Sequence, residues 1–264
     1  MITSTSNPQV KMIRKLKDKK ERQQTGLYYM EGIRIVLEAL QMDMPLKEII
    51  LAPELITGQG IHEIYQEVQR LQIPVTEVSG DVFRSFSVKE GPQGVAAIAH
   101  QQWTDLKELI PVKGDVWVAL DSVADPGNLG TIMRTVDAIG GKGVILLDQS
   151  TDPYDSTSIR ASMGALFHLQ IIKANLAEFV QWKLVSSISI IGTSDSAEMD
   201  YHDFRFPDPI VLLMGSERMG LQPKHYKICE QVVRIPMVGR SDSLNLAIAT
   251  AVIVYEIFNQ RRTK

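Results

Sequence analysis

VWVAL (116–120) runs directly into DSVADPGNLGTIMRTVDAIGG (121–141), and GVILL follows at 143–147. Five apolar residues, a turn at Asp125-Pro126-Gly127 and a good N-cap at Asn128 read as a strand handing over to a helix. Leu129, Ile132, Met133, Val136 and Ile139 then recur at helical spacing, and Gly140-Gly141 closes the helix. The same alternation continues in SIIGT (189–193), IVLLM (210–214) and VVRIP (232–236), with helical patterns between them. Continuous apolar strands alternating with helices predict an α/β domain whose parallel sheet is covered on both faces.

Upstream lies a second α/β block, ending near His100. An apolar LYYME (27–31) leads into a helical GIRIVLEALQM, a strand-like LKEIILA (46–52) and a helical IHEIYQEVQRL, followed by PVTEV (74–78) and GVAAIAH (94–100). QQWTDLKELIPVKG (101–114) reads as a partly helical connector. The expected division is therefore 1–100, a linker at 101–114, and 115–264. At ~150 residues per domain, 264 residues suit one large or two small domains. No internal repeat or low-complexity tract is present.

With 44% hydrophobic and 22% charged residues, the chain can bury a real core. No apolar run approaches the ~20 residues that span a bilayer, and the N-terminus lacks the apolar core of a secretory signal. These features predict a cytoplasmic protein. A lone cysteine, Cys229, excludes an internal disulfide and a cysteine zinc site. His62, His100, His168, His202 and His225 show no ligand spacing, so no metal is expected. Met12, Met30, Met42 and Met44 read as core filling. Residues 1–22 carry seven cations against Asp18 and Glu21, a net +5 that leaves −8 on the rest of a chain totalling −3. Lys11, Arg14, Lys15, Lys19, Lys20 and Arg22 thus form a candidate phosphate-binding arm, with a solvated surface helix as the plain alternative.

In open parallel sheets, ligands sit beyond the carboxyl ends of the strands. Behind VWVAL, Arg134 stands off the apolar stripe near that edge. Behind IVLLM comes GSERMG (215–220), whose glycines permit close backbone approach or positive φ around Glu217. It is neither a G-x-G-x-x-G fingerprint nor a Walker loop, which argues against a conventional dehydrogenase or NTPase. Behind VVRIP, Ser241 or Ser243 can cap a long last helix with Asn245 in its first turn. Its buried side is expected to carry Leu244, Ile248, Ala251, Val252 and Tyr255, and its small residues permit close packing against a second subunit.

In this order, each behind a strand, these segments resemble the three motifs of the SpoU-type (SPOUT superfamily, TrmH-like) RNA ribose 2′-O-methyltransferases. The motifs are Asn128-x-Gly130-x-x-x-Arg134, then LLMGSERMG (212–220), then IPMVG (235–239) through Ser243-Leu244-Asn245. IRASMGALFHL (159–169) also resembles the family's stretch after the second strand, and residues 7–40 with GPQGVAAIAH resemble the ribosomal-protein-like substrate domain of rRNA-directed members. Arg218 and Met219 depart from the smaller or Lys-type residues usual in the second motif.

The resemblance implies a deep trefoil knot near the C-terminus, formed by threading the last helix through a loop, which general topology rules would not suggest. It implies S-adenosylmethionine held by Thr193, Leu213, Met214, Gly215, Gly220, Ile235, Met237, Ser243 and Leu244. It implies a homodimer with each site built from two subunits, and a catalytic set of Arg134, Asn128, Glu217 and Asn245. An arginine stays protonated at ordinary pH, so Arg134 is read as clamping phosphate and stabilising developing alkoxide rather than removing a proton. Large-subunit rRNA is the expected substrate. The alternatives are tRNA, a catalytically weak RNA-binding homologue, and an unrelated small-molecule enzyme that would not bind S-adenosylmethionine.

Overall fold

The computed structural model describes residues 1–57 and 59–262, and the contacts group them into two units. The first contains Met1–Gln102 and Tyr154–Phe167, the second Trp103–Pro153 and the chain from His168 on. Among the described residues no helix is long and apolar enough to cross a membrane.

The first unit runs α1 (Pro8–Lys15), α2 (Lys19–Thr25), β1 (Leu27–Glu31), α3 (Ile33–Gln41), β2 (Leu46–Leu51), α4 (Ile61–Leu71), β3 (Val75–Glu77), α5 (Gly80–Arg84) and β4 (Val95–His100). Its sheet has the order β1-β4-β2-β3, with β4 antiparallel to both neighbours and β3 parallel to β2. The basic N-terminal segment is part of this unit rather than a free arm. Val10, Ile13 and Leu16 are buried with Tyr29, Phe83 and Phe86, while Lys11, Lys15, Lys19 and Lys20 remain exposed. Burying each such aliphatic or aromatic side chain is worth about 1.5–3 kcal/mol, enough to hold α1 down.

Arg22 departs from the expected cationic surface. It is 3% exposed, donates to the Leu16 and Lys17 carbonyls at 2.9 and 2.7 Å, and pairs with Asp155 at 3.3 Å. A buried guanidinium committed to two carbonyls closes the turn between α1 and α2 and is not available to a phosphate. Arg14 is half-buried and spends its guanidinium on Thr5 and Ser85. Met30 fills the core as expected, whereas Met42, at the end of α3, is exposed.

The second unit begins with β5 (Val116–Asp121), α6 (Pro126–Ala138) and β6 (Gly143–Leu147). The next helix, α7 (Ser156–Ser162), belongs to the first unit. There follow β7 (Gln170–Ala174), α8 (Leu176–Val185), β8 (Ser189–Thr193), β9 (Met199–Asp200), β10 (Ile210–Met214), α9 (Pro223–Tyr226), β11 (Gln231–Arg234) and α10 (Leu246–Arg262). The sheet order is β7-β6-β5-β10-β8-β11-β9, and every pairing is parallel. β5, β6 and β10 are buried along their whole length, which is why they read as unbroken apolar runs.

Packing redraws the expected boundary. Tyr154–Phe167 follow the second unit's β6 in sequence but pack with the first, where the Tyr154 hydroxyl meets Gln102 and Asp155 meets Arg22. The 101–114 connector holds one 3-10 turn, Leu106–Glu108, and lies almost wholly in the second unit, where the Leu109 carbonyl accepts from the Trp182 indole at 3.0 Å.

The last helix also differs from expectation. α10 is apolar on more than one side, and the side it buries carries Ala247, Thr250, Ile253, Val254 and Ile257. Leu244, Ile248 and Tyr255 are exposed at 39, 53 and 44%. With apolar residues all round, periodicity alone could not choose between the two stripes.

Candidate active site

β5 leads through α6 towards β6 on one side of the sheet, while β10 leads to β11 on the other, beyond β8. The carboxyl ends of the adjacent strands β5 and β10 therefore lie at a switch in winding direction, where a crevice opens in parallel α/β sheets. The three sequence motifs meet there.

The cap of α6 is Asp125, whose carboxylate accepts from the Asn128 N–H at 2.7 Å, with Pro126 in the first turn. Asn128 is thus not the cap, and its side chain is free for other work. Asn245, rather than Ser241 or Ser243, caps α10 by accepting from Ala247 and Ile248 N–H at 2.9 and 3.3 Å. The Glu217 carboxylate, carried on the turn after β10, accepts from Ala124 N–H (3.0 Å), Asp125 N–H (3.2 Å) and Asn128 Nδ2 (3.2 Å). Asn128 Oδ1 in turn accepts from Asn245 Nδ2 at 2.9 Å.

The direction of this chain is dictated by its ends. An ionised carboxylate only accepts and the backbone N–H groups of α10 only donate, so each asparagine amide has one permitted orientation. Three distant segments are thereby tied by side chains into one polar array. Burial by itself would raise the Glu217 pKa, but the Ala124 N–H, its own backbone N–H, the Asn128 amide and the Asp125 N–H together hold it below the usual carboxylate range. The stabilisation is therefore present above the ordinary carboxylate pKa and fades as pH falls through the lowered folded value. Glu217→Gln removes the charge but keeps the shape. We expect it to weaken ligand binding at the site about tenfold at pH 7 and to flatten the acid limb of that binding, measured by calorimetry across pH.

Arg134 is not part of this array. It is exposed on α6 and makes no hydrogen bond or ion pair among the described residues, leaving its guanidinium available to an incoming anion. Of the other candidates, Leu213 and Met214 are buried in β10, and Met214 Sδ lies 3.3 Å from the Thr193 hydroxyl at the end of β8. Ile235 is half-buried, and Met237, Ser243 and Leu244 are exposed. The Leu213 side chain belongs to the core beneath the sheet, so its part in any site is confined to the main chain. Gly215 sits against the backbone of Gly220, where a Cβ would come within 2.1 Å of the Gly220 carbonyl carbon. Gly220 itself has φ +58°, the left-handed region that glycine enters without cost. This tight loop, with main-chain groups flanked by apolar side chains, suits an adenosyl group.

Sequence reasoning missed one residue here. His225 on α9 is fully buried, its Nδ1 accepts from Gln222 N–H at 2.8 Å, and its Nε2 faces Asp121, the last residue of β5, at 3.3 Å. Burial lowers its pKa, opposed in part by Asp121, and the ring stands between the segment after the 215–220 loop and the end of β5. A single histidine without ligand spacing gives no such signal in the sequence. Among the described residues no group of three or more His, Cys, Asp or Glu is placed to hold a metal.

Comparison with known proteins agrees with this geometry. Residues 115–255 match the SpoU rRNA Methylase family, and residues 7–97 match an MRM3-like substrate binding domain. The 23S rRNA (guanosine(2553)-2′-O)-methyltransferase RlmP of Bacillus subtilis is 30% identical over 97% of this chain and 98% of its own. The AdoMet-bound rRNA methyltransferase of Sinorhizobium meliloti is 36% identical, covers 99% of this chain and 97% of its own, and superposes with a TM-score of 0.90. A structure described as concerning 2-OH methylation of C/U34 on tRNA, 26% identical with a TM-score of 0.52, covers 56% of this chain and 97% of its own. The chain belongs to the SpoU rRNA Methylase family.

Proposed function

We propose that this protein transfers a methyl group from S-adenosylmethionine to a ribose 2′-hydroxyl in large-subunit rRNA. The observation that carries this reading is the Glu217–Asn128–Asn245 array, which joins three motifs at the strand ends, with Arg134 exposed and uncommitted on the helix that carries Asn128. The rRNA neighbours cover the first unit as well as the second, whereas the tRNA neighbour covers 56% of the chain. That favours rRNA, and we take the first unit, with its exposed cations Lys11, Lys15, Lys19 and Lys20, as the part that binds it. We place the protein in the cytoplasm, where such a substrate is met.

The loop at Gly215 and Gly220, with Thr193, Met214, Ile235, Met237, Ser243 and Leu244, would hold the cofactor, which supplies an electrophilic methyl when bound. The protein's task is alignment and charge stabilisation. Asn128 positions the ribose, and Glu217 and Asn245 hold Asn128 in its one permitted orientation. Arg134 grips the neighbouring phosphate and stabilises negative charge growing on the 2′-oxygen as its proton passes to phosphate or water.

The last helix supports two further parts of the reading. α10 packs along α6, and the chain enters it after β11, which lies beyond β8 from β10. We read this as the threaded helix of a trefoil knot. The exposed stripe Leu244, Ile248 and Tyr255 is the face for a second copy of the chain. Two measurements test these assignments. Calorimetry is expected to show one S-adenosylmethionine bound per chain, and absence of binding would remove the enzymatic reading. Analytical ultracentrifugation is expected to find a dimer at micromolar concentration, converted to monomer by Ile248→Glu with Tyr255→Glu; a monomeric wild type would remove the shared site.

A further inference from the structure

The first unit contains a cavity of about 240 Å³ that the catalytic reading does not use. β1, the start of α3, the loop at Val88–Gln93 and α7 wall it. Its apolar lining includes Met30, Ile35, Val88, Ile159 and Met163, and three cations, Arg34, Lys89 and Arg160, stand around it. Ligand cavities for drug-sized molecules run to roughly 300–1,000 Å³, so this one suits a single flat ring system.

Two carboxylates also line the cavity, and Glu31 is committed elsewhere. Glu31 is buried and accepts from the Ser87 hydroxyl (2.7 Å), the Val88 N–H (2.9 Å) and the Tyr29 hydroxyl (3.0 Å), fixing the 87–89 loop beside α3. Glu38 also lines the cavity and lies close to Gly164, where a Cβ would come within 2.1 Å of its Oε2. Gln93 Oε1 accepts from the Ile33 N–H at the start of α3 (3.2 Å). The cations are not spent in this way. The Lys89 ammonium lies over Gly32, 2.6 Å from where a Cβ would stand, and among the described residues Arg34, Lys89 and Arg160 form no ion pair with any carboxylate. Gly32, with φ +123°, leaves the room that Lys89 occupies.

An apolar slot for a ring, rimmed by three uncommitted cations and the N-terminal end of a helix, has the chemistry of a nucleotide site. We propose that this cavity receives one unstacked nucleotide of the RNA substrate, its base between Ile159, Met163 and Ile35 and its phosphates on Arg34, Lys89 and Arg160. Sequence-directed RNA recognition takes splayed bases in this manner. The proposal rests on the reading of the protein as an RNA methyltransferase and names where its first unit grips the RNA. It also gives α7 a role that its sequence position, between two strands of the other unit, does not suggest.

The test uses the full-length protein and unmodified 23S-type rRNA transcribed with 4-thiouridine. Arg34→Ala with Arg160→Ala is expected to raise the RNA KM about 10- to 100-fold with kcat, S-adenosylmethionine affinity and Tm unchanged. Met163→Trp, which fills the slot without altering charge at a position already 42% exposed, is expected to raise KM about tenfold. Photocross-links are expected in the peptides spanning 29–38 or 156–163 and to disappear in both variants. If wild-type transfer is intact while KM is unchanged in both variants, this site is overturned and the methyltransferase reading stands. A raised KM in the charge variant alone, with Met163→Trp normal, also overturns it, since the cations then act as a surface patch and no base enters. Tight calorimetric binding of free AMP or UMP, lost in the variants while RNA KM stays constant, overturns it in favour of a free-nucleotide site. Failure of the wild type to methylate any RNA removes the parent reading and this one with it.

Discussion

Arg134→Ala is expected to lower methyl transfer to unmodified rRNA by about 10²–10³-fold, the usual consequence of removing one charge-stabilising donor from a reacting centre. The effect should fall on kcat, because the charge that Arg134 is proposed to meet is greatest in the transition state. S-adenosylmethionine affinity should be unaffected, since Arg134 is exposed on α6 and no cofactor-loop residue depends on it. Arg134→Lys separates two modes of action. A point charge would preserve much of the rate, whereas a forked contact bridging phosphate and the 2′-oxygen would lose most of it. We expect the fork, because the Asn128 array itself carries no positive charge to share the load. Single-turnover rates for the three proteins decide the matter.

Gly215→Ala is the second large effect. Its Cβ would meet the carbonyl carbon and oxygen of Gly220 at 2.1 and 2.3 Å and the Leu221 nitrogen at 2.4 Å. These are backbone atoms, so no side-chain rotation relieves the clash. Overpacking of this kind costs typically 1–3 kcal/mol when the surroundings can shift. Here the movement must come from the 215–220 loop itself, so cofactor affinity is expected to fall about 10- to 100-fold. Calorimetry and thermal melts measure the two effects separately. Gly220→Ala makes the useful contrast, since nothing stands within 4 Å of its added Cβ and only its positive φ of +58° is strained. Its loss is expected to be smaller, about 1 kcal/mol.

The second unit was legible because buried parallel strands announce themselves. VWVAL, GVILL and IVLLM are apolar without alternation, and the structure buries each on both faces. β7 gives no such signal, because an edge strand with the pattern exposed-buried-buried-exposed-buried carries charge, and β9 has two residues only. Helix caps were misplaced by a few residues at both site helices, and the error had consequences. Reading Asn128 as a cap hides the fact that Asp125 does that work, which releases Asn128 to bridge Glu217 and Asn245. The last helix is apolar on two sides and its spacing fits either, so the side it buries is not legible in the sequence.

The candidate residues were legible as a set, and their geometry was not. Sequence order places Asn128, Glu217 and Asn245 behind three strands, but only the sheet order, with β10 beside β5, brings them together. Arg22 shows the opposite limit. In a run of cations it looks like its neighbours, and only the fold reveals that its guanidinium is enclosed by Leu16, Lys17 and Asp155. The cavity at Arg34, Lys89 and Arg160 was invisible for a similar reason, since α7 joins it from more than 60 residues beyond Lys89 in the sequence.

The measurement closest to the central claim is transfer of labelled methyl from S-adenosylmethionine to unmodified 23S-type rRNA, with tRNA in parallel and the product mapped by resistance to alkaline cleavage. Label is expected in rRNA at a single alkali-resistant linkage, the mark of a methylated 2′-hydroxyl, and is expected to vanish with Arg134→Ala. Label confined to tRNA, or in rRNA on a base with the linkage still cleavable, would contradict it.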